Sequence, residues 1–241
     1  MKLIFIRHGD PDYEHDSLTE RGRQEAELLS LRWQELKGDY YYVSPLGRAR
    51  ETAAPFLKKA GCEAVEMDWL REFEGRCLRP DLGREWICWD WMPDDMAKEP
   101  RFLSRDEWLA PEVFAESNVP EQYDYVISSF DKLLEDHGYR RNGTIYEAVR
   151  PNHDTLVFFC HFGVTAVMLS RLMNVSPMVL WHGMVAAPTS VTTVYTEERR
   201  EGIASFRMGC FGETAHLRNA GLEPSFSARF CECFTDNTRH V

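Results

Sequence analysis

The chain has 241 residues, 44% hydrophobic and 28% charged, which is the composition of a globular protein long enough to bury one substantial core. A formal net charge of −11 excludes a general nucleic-acid surface, so an anionic ligand would have to be held by a local basic pocket against the overall field. No apolar run approaches a membrane span, and seven scattered cysteines suggest neither a disulfide framework nor a zinc site, which makes a reducing cytoplasm the expected compartment.

Residues Lys2 to Ile6 (KLIFI) read as a buried strand that runs into Arg7-His8-Gly9, too short and too soon charged for a signal peptide. A polar loop, Asp10 to Asp16, follows. Thr19 is placed to cap a helix on which Ala26, Leu29, Trp33 and Leu36 share a face, ended by Lys37-Gly38-Asp39. Tyr40 to Val43 is a second strand. Ser44-Pro45 opens a second helix that carries Arg48 and Thr52 to about Lys59 and is closed by Gly61. Glu63 to Met67 is a third short strand. This alternation predicts a parallel sheet with helical crossovers.

From Arg76 to about Val119 no period is sustained. The stretch holds Trp86, Trp89, Trp91 and Trp108, four of the seven tryptophans, and is too aromatic for a linker. It reads as an insertion, either an extra packing layer or a cap that selects substrate. Regularity returns at Tyr123 with a helix whose apolar face is Val126, Ile127, Phe130, Leu133 and Leu134, ended by His137-Gly138. Asn142-Gly143 predicts a type I′ hairpin between Tyr139–Arg141 and Thr144–Val149. Thr155 to Phe159 is a further strand, running into Cys160-His161-Phe162-Gly163 and a helix over Val164 to Met173. Val191 to Thr196 and Ile203 to Met208 read as late antiparallel strands. The turn-rich end holds Cys231-Glu232-Cys233, read as reduced thiols.

Two strands thus deliver histidines to their carboxyl ends, the edge at which open α/β sheets bind ligands. If the sheet is parallel, Arg7-His8, the Arg48 helix start, Leu70-Arg71-Glu72 and His161 converge there. A transferring phosphoryl group needs several fixed cationic donors, a nucleophile and a proton donor for the leaving oxygen. Those residue types are the ones present.

These segments resemble the histidine phosphatase superfamily, in its phosphoglycerate mutase-like branch. The shared motifs are Arg7-His8-Gly9, Leu18-Thr19-Glu20-Arg21-Gly22, the run Ser44 to Ala53, Leu70-Arg71-Glu72 and His161-Phe162-Gly163, with Ala187 to Val191 and His216-Leu217 also fitting. The resemblance implies a three-layer α/β/α fold with a mostly parallel central sheet. It implies one domain over 1–241 with a cap-like insertion at about 76–119. It implies a phosphomonoester hydrolase with His8 as nucleophile, forming a phosphohistidine, and Glu72 as proton donor. Arg7, Arg48, His161 and the Phe162 backbone N–H, with His8, would surround the phosphoryl oxygens. No metal and no cofactor are expected. The partner is a small-molecule phosphomonoester, with no nucleic acid and no membrane, and a homodimer is left open.

The chain also departs from the pattern. Many relatives carry Glu after Arg-His-Gly and an Asn a few residues on, where this chain has Asp10 and, near the Asn position, Glu14. Glu25 stands where Gln is common, and Phe162 where Gly is common. The short loop after His8 favours a phosphatase over the alternative, a mutase-type phosphotransferase. A non-catalytic phosphate-binding protein is disfavoured by the joint presence of Arg7, His8, Arg48, Glu72 and His161. Arg50 and Arg71 are expected to be solvated, His182 to hydrogen-bond near a turn, His216 to stand behind the site, and His15 to lie in the loop beside it. If Asp90, Asp94 and Asp95 face the pocket, they would disfavour highly anionic substrates.

Overall fold

The computed structural model describes residues 1–225, 227 and 233–235. Its centre is an eight-stranded sheet in the order Val65–Glu66, Tyr40–Val43, Thr155–Cys160, Lys2–Arg7, Val191–Arg200, Ile203–Glu213, Ile145–Ala148, Tyr139–Asn142. The first four strands are parallel, and the other four continue the sheet antiparallel. Thr155–Cys160 sits between Tyr40–Val43 and Lys2–Arg7, with Arg7 beside Cys160 in register. Both histidine-bearing turns therefore leave adjacent strands at the same edge.

Side chains alternate across the pleat, which sorts the core into two layers. Leu3, Phe5, Tyr42, Leu156 and Phe158 face one side, against helices Val119–Asp136 and Phe162–Met173. Ile4, Ile6, Tyr41, Val43, Val157 and Phe159 face the other, against helices Glu20–Ser30 and Gly47–Ala60. Leu156 to Cys160 are wholly buried, as a central strand covered on both faces requires. Each such large apolar side chain contributes about 1.5–3 kcal/mol.

The helix after Thr19 is shorter than the spacing of Trp33 and Leu36 predicts. Thr19 caps it by accepting Gly22 N–H, but it ends at Ser30. Leu31, Arg32 and Trp33 then donate to Leu28, Leu29 and Ser30, three residues back. The chain tightens into turns that still bury Leu36. The strand expected over Glu63 to Met67 is confined to Val65–Glu66. The hairpin register also differs: Asn142 pairs with Ile145, so Gly143 and Thr144 form the turn, and only Gly143 has positive φ (58°). That is a type II′ pattern rather than type I′, because glycine takes the first central position.

The insertion forms a hairpin, Arg76–Arg79 with Arg84–Ile87, followed by short helical turns. Trp89, Trp91, Phe102, Trp108 and Phe114 are buried in the same core layer as Phe5 and Phe158. Arg79 is 1% exposed, bonds Trp89 and Asp90 carbonyls, pairs with Asp81 and lies 4.1 Å over the Trp91 ring. His182 accepts the Trp91 N–H at 2.9 Å while its Nδ1 donates to the Met178 carbonyl, which ties the insertion to helix Pro177–Gly183. Cys231 lies outside the described residues. Cys62, Cys77, Cys88, Cys160 and Cys210 are free thiols.

Candidate active site

His8 follows the first strand and is 1% exposed. Its Nδ1 lies 2.7 Å from the Gly9 carbonyl, which only accepts, so Nδ1 carries the hydrogen and Nε2 keeps its lone pair. Burial, then the charges of Arg7 and Arg48, hold the imidazole well below its usual pKa and therefore neutral. Gly9 permits the tight approach of this turn to the first helix, since a Cβ there would lie 2.7 Å from the Gly22 carbonyl oxygen. Gly9 N–H donates to Thr52 Oγ1 at 2.9 Å, which links the His8 turn to the Arg48 helix.

His161 is fully buried, with its ring 5.0 Å from that of His8. Ser44 Oγ accepts Leu46 N–H, so its own hydrogen is free for His161 Nε2, 2.8 Å away. With Ser44 donating, a neutral His161 presents Nδ1–H. Burial, then His8, Arg48 and Arg7, depress its pKa as well. His161 precedes helix Phe162–Met173, so the Phe162 N–H has no acceptor within the helix and lies at its positive end.

The two arginines are each held at one edge. Arg7 Nη1 donates to the Ala186 carbonyl at 2.6 Å and to the Ser227 carbonyl at 3.2 Å. Arg48 Nη1 donates to Asp16 Oδ1 at 2.6 Å. Arg7 Nε, Arg48 Nε and His161 Nδ1 are buried and have no hydrogen-bond partner among the described residues. Buried donors are rarely left so, and each costs about 1–3 kcal/mol.

Glu72 lies against the turn after His161. Its Oε1 accepts the N–H groups of Phe73 (2.8 Å) and Val164 (3.1 Å). A Cβ on Gly163 would come within 2.5 Å of that oxygen, so glycine is what lets the carboxyl approach. Desolvation dominates and raises the Glu72 pKa, opposed by those N–H groups and by Arg48 and Arg7. Glu74 is exposed.

The structure thus brings Arg7, His8, Arg48, Glu72, His161 and Phe162 to one edge. Arg50 and Arg71 are exposed. Glu14 is exposed, and His15 pairs with Asp12. Asp90 and Asp94 are exposed and Asp95 pairs with Lys98. His216 stands behind the site: it bonds Thr189 Oγ1 at 2.9 Å, and Thr189 N–H donates to the His8 carbonyl. Sequence reasoning missed Ser44, Thr52 and Asp16. Ser44 and Thr52 were signalled only by their places in the Ser44–Ala53 run. Asp10 does not face an anion. Its carboxylate accepts from Thr19, Ser225 and Ser227, which holds Ser227 beside Arg7. Among the described residues, no group of three His, Cys, Asp or Glu is arranged to hold a metal ion.

Residues 3–95 match the family model described as the histidine phosphatase superfamily (branch 1). The chain is 25% identical over 223 residues to phosphoserine phosphatase 1 of Hydrogenobacter thermophilus, covering 87% of this chain and 93% of that protein. It is 37% identical over 82 residues to a probable phosphatase of Schizosaccharomyces pombe, covering 30% of this chain and only 39% of that relative. In three dimensions it is similar to a phosphoserine phosphatase from Entamoeba histolytica solved with 3-phosphoglyceric acid. The TM-score there is 0.57 at 18% identity, covering 90% of this chain and 98% of that one. A mycobacterial glucosyl-3-phosphoglycerate phosphatase solved with VO3 gives a TM-score of 0.56 at 18% identity, covering 88% and 98%. Over residues 3–95 the chain is thus similar to the histidine phosphatase superfamily (branch 1), and its fold is similar to that of phosphatases solved from other organisms.

Proposed function

We propose that the chain is a metal-independent phosphomonoester hydrolase that works through a phosphohistidine on His8. The observation that carries this reading is the set of unspent atoms around one neutral imidazole. Among the described residues, Arg7 Nε, Arg48 Nε and His161 Nδ1 lack partners. A phosphoryl group with three charged oxygens supplies acceptors for all three.

In the first step, His8 Nε2 attacks phosphorus and the bond to the leaving oxygen breaks. The Glu72 proton passes to that oxygen, which departs as an alcohol. In the second step, Glu72, now a carboxylate, takes a proton from water. The hydroxide oxygen bonds to phosphorus, the P–N bond breaks, and inorganic phosphate leaves with His8 neutral again. The raised Glu72 pKa and the depressed His8 pKa favour the protonation states this sequence requires. The substrate class is a small phosphomonoester, in keeping with relatives named as phosphatases of phosphoserine and of a glycosylated phosphoglycerate.

The reading extends to the insertion over residues 76–119 as a cap within a single domain. Trp89 packs on the Phe162 ring at 6.2 Å and stacks on Trp181 at 6.5 Å, while Trp181 Nε1 donates to the Gly163 carbonyl. The insertion therefore buttresses the turn that holds His161 and Glu72, and through that turn would bear on substrate choice.

The test is turnover of an aryl phosphate by the wild type and by His8→Ala, with and without EDTA. Activity that is lost in His8→Ala and unaffected by the chelator is the expected result. A near wild-type His8→Ala rate, or loss with EDTA that a divalent ion restores, would overturn the mechanism. Substitutions of Trp86 or Trp89 that leave relative substrate preferences unchanged would count against the cap.

A further inference from the structure

One charged contact in the pocket has no part in that sequence of steps. Asp16 offers both carboxylate oxygens to the start of helix Gly47–Ala60: Oδ1 to Arg48 Nη1 at 2.6 Å and Oδ2 to Gly47 N–H at 2.7 Å. Leu46, the residue before the helix, makes no side-chain cap bond, so Asp16 caps that end from another segment. Its backbone is left-handed (φ 46°), a conformation Asp and Asn adopt more readily than most residues. Gly47 makes the contact possible, because a Cβ there would collide with the Asp16 carbonyl oxygen. The Arg48 guanidinium carbon also lies 5.4 Å over the Tyr13 ring.

We propose that Asp16 is the positioning residue for Arg48. By holding the Nη1 edge toward the loop, it turns the partnerless Nε edge toward the phosphoryl position between His8 and His161. The inference rests on the phosphate reading of the pocket. An unanchored guanidinium would sample several rotamers, and ordering it would weaken anion binding. The Asp16 side chain is 43% exposed, so water screens its repulsion of an incoming anion, whereas its directional hold on Nη1 is retained. The loop thereby fixes a phosphate ligand although Glu14, near the position where many relatives carry Asn, is exposed.

The test titrates inorganic phosphate into the full chain, by calorimetry or ³¹P NMR, for wild type, Asp16→Gly, Asp16→Asn, Arg48→Gln and the Asp16→Gly/Arg48→Gln double variant. Glycine and asparagine both accept the left-handed backbone, so neither substitution strains the turn. Asp16→Gly is expected to weaken phosphate binding about tenfold, the size of coupling found within one contact network. It should raise KM for an aryl phosphate in parallel, with kcat changed much less. Asp16→Asn, which keeps an acceptor for Nη1, should restore most of the affinity. In the Arg48→Gln background, Asp16→Gly should have no further effect. Unchanged or tighter phosphate binding in Asp16→Gly, no rescue by Asn, or an undiminished loss in the Arg48→Gln background would each overturn the proposal. Failure of the wild type to bind phosphate would instead remove the pocket reading itself.

Discussion

Replacing Gly163 with alanine tests the Glu72 assignment without removing either carboxyl oxygen. The added Cβ would stand 2.5 Å from Glu72 Oε1, 3.3 Å from its Cδ and 3.4 Å from Phe73 Cβ. Reaching ordinary contact needs roughly 0.9 Å of movement, and Oε1 is fixed by two backbone N–H groups, so the shift also breaks good hydrogen bonds. A displacement of about 1 Å in a catalytic group costs on the order of 10²-fold in rate. Fold stability should barely change. Alanine gains up to about 1 kcal/mol of helix propensity over glycine, and local overpacking costs about 1–3 kcal/mol. For a chain of this size the net effect is a shift of a few degrees in Tm, at about 2–4 °C per kcal/mol. The assay compares kcat on an alkyl phosphate, whose leaving oxygen needs a proton, with kcat on a nitrophenyl phosphate, whose leaving group departs unprotonated. Gly163→Ala should lose about 10²-fold on the first and much less on the second. Equal losses on both substrates, or none on either, would refute the placement of Glu72 as proton donor.

Three further outcomes follow from the geometry. Ser44→Ala removes the donor that leaves the proton on His161 Nδ1, so kcat should fall about tenfold with stability little altered; unchanged kinetics would show that Ser44 does not set the tautomer. Gly22→Ala drives a methyl into the Asp10 backbone, where no side chain can yield, and should cost about 3 kcal/mol in urea unfolding, against no measurable change if the loop simply rides over it. His216 is held at a pKa of about 4 by burial and Arg32, below its unfolded value, so its contribution to stability is present above pH about 6.5 and is lost as pH falls toward 4. His216→Gln should therefore flatten the pH dependence of unfolding free energy between pH 6.5 and 4 relative to wild type, and an unaltered slope would contradict a buried neutral His216.

The edge that carries the candidate site was legible because strand ends are legible. KLIFI and TLVFF are unbroken apolar runs, so Arg7-His8 and His161 fall at strand ends whatever the register. Ordered motifs did the rest for Arg48 and Glu72. Helix length was less legible, since Trp33 and Leu36 keep a helical spacing through turns that are no longer α-helical. The hairpin was found but misregistered, because Asn142-Gly143 and Gly143-Thr144 both satisfy turn chemistry and only pairing decides between them. The antiparallel extension of the sheet by Ile145–Ala148 depends on contact with Ile203 and Ala204, some sixty residues on, which no local pattern encodes. Asp16 was passed over for a related reason. Its sequence neighbours are loop residues, and its partner, Arg48, is brought to it by the fold.

The central claim is tested most directly by acid-free quenching of the enzyme during turnover of a ³²P-labelled phosphomonoester, followed by mapping of the label. The expected result is a phosphoryl group that is acid-labile and stable to alkali, located on His8 and absent from His8→Ala. Label on another residue, or steady turnover with no protein-bound phosphate on a rapid-quench timescale, would contradict it.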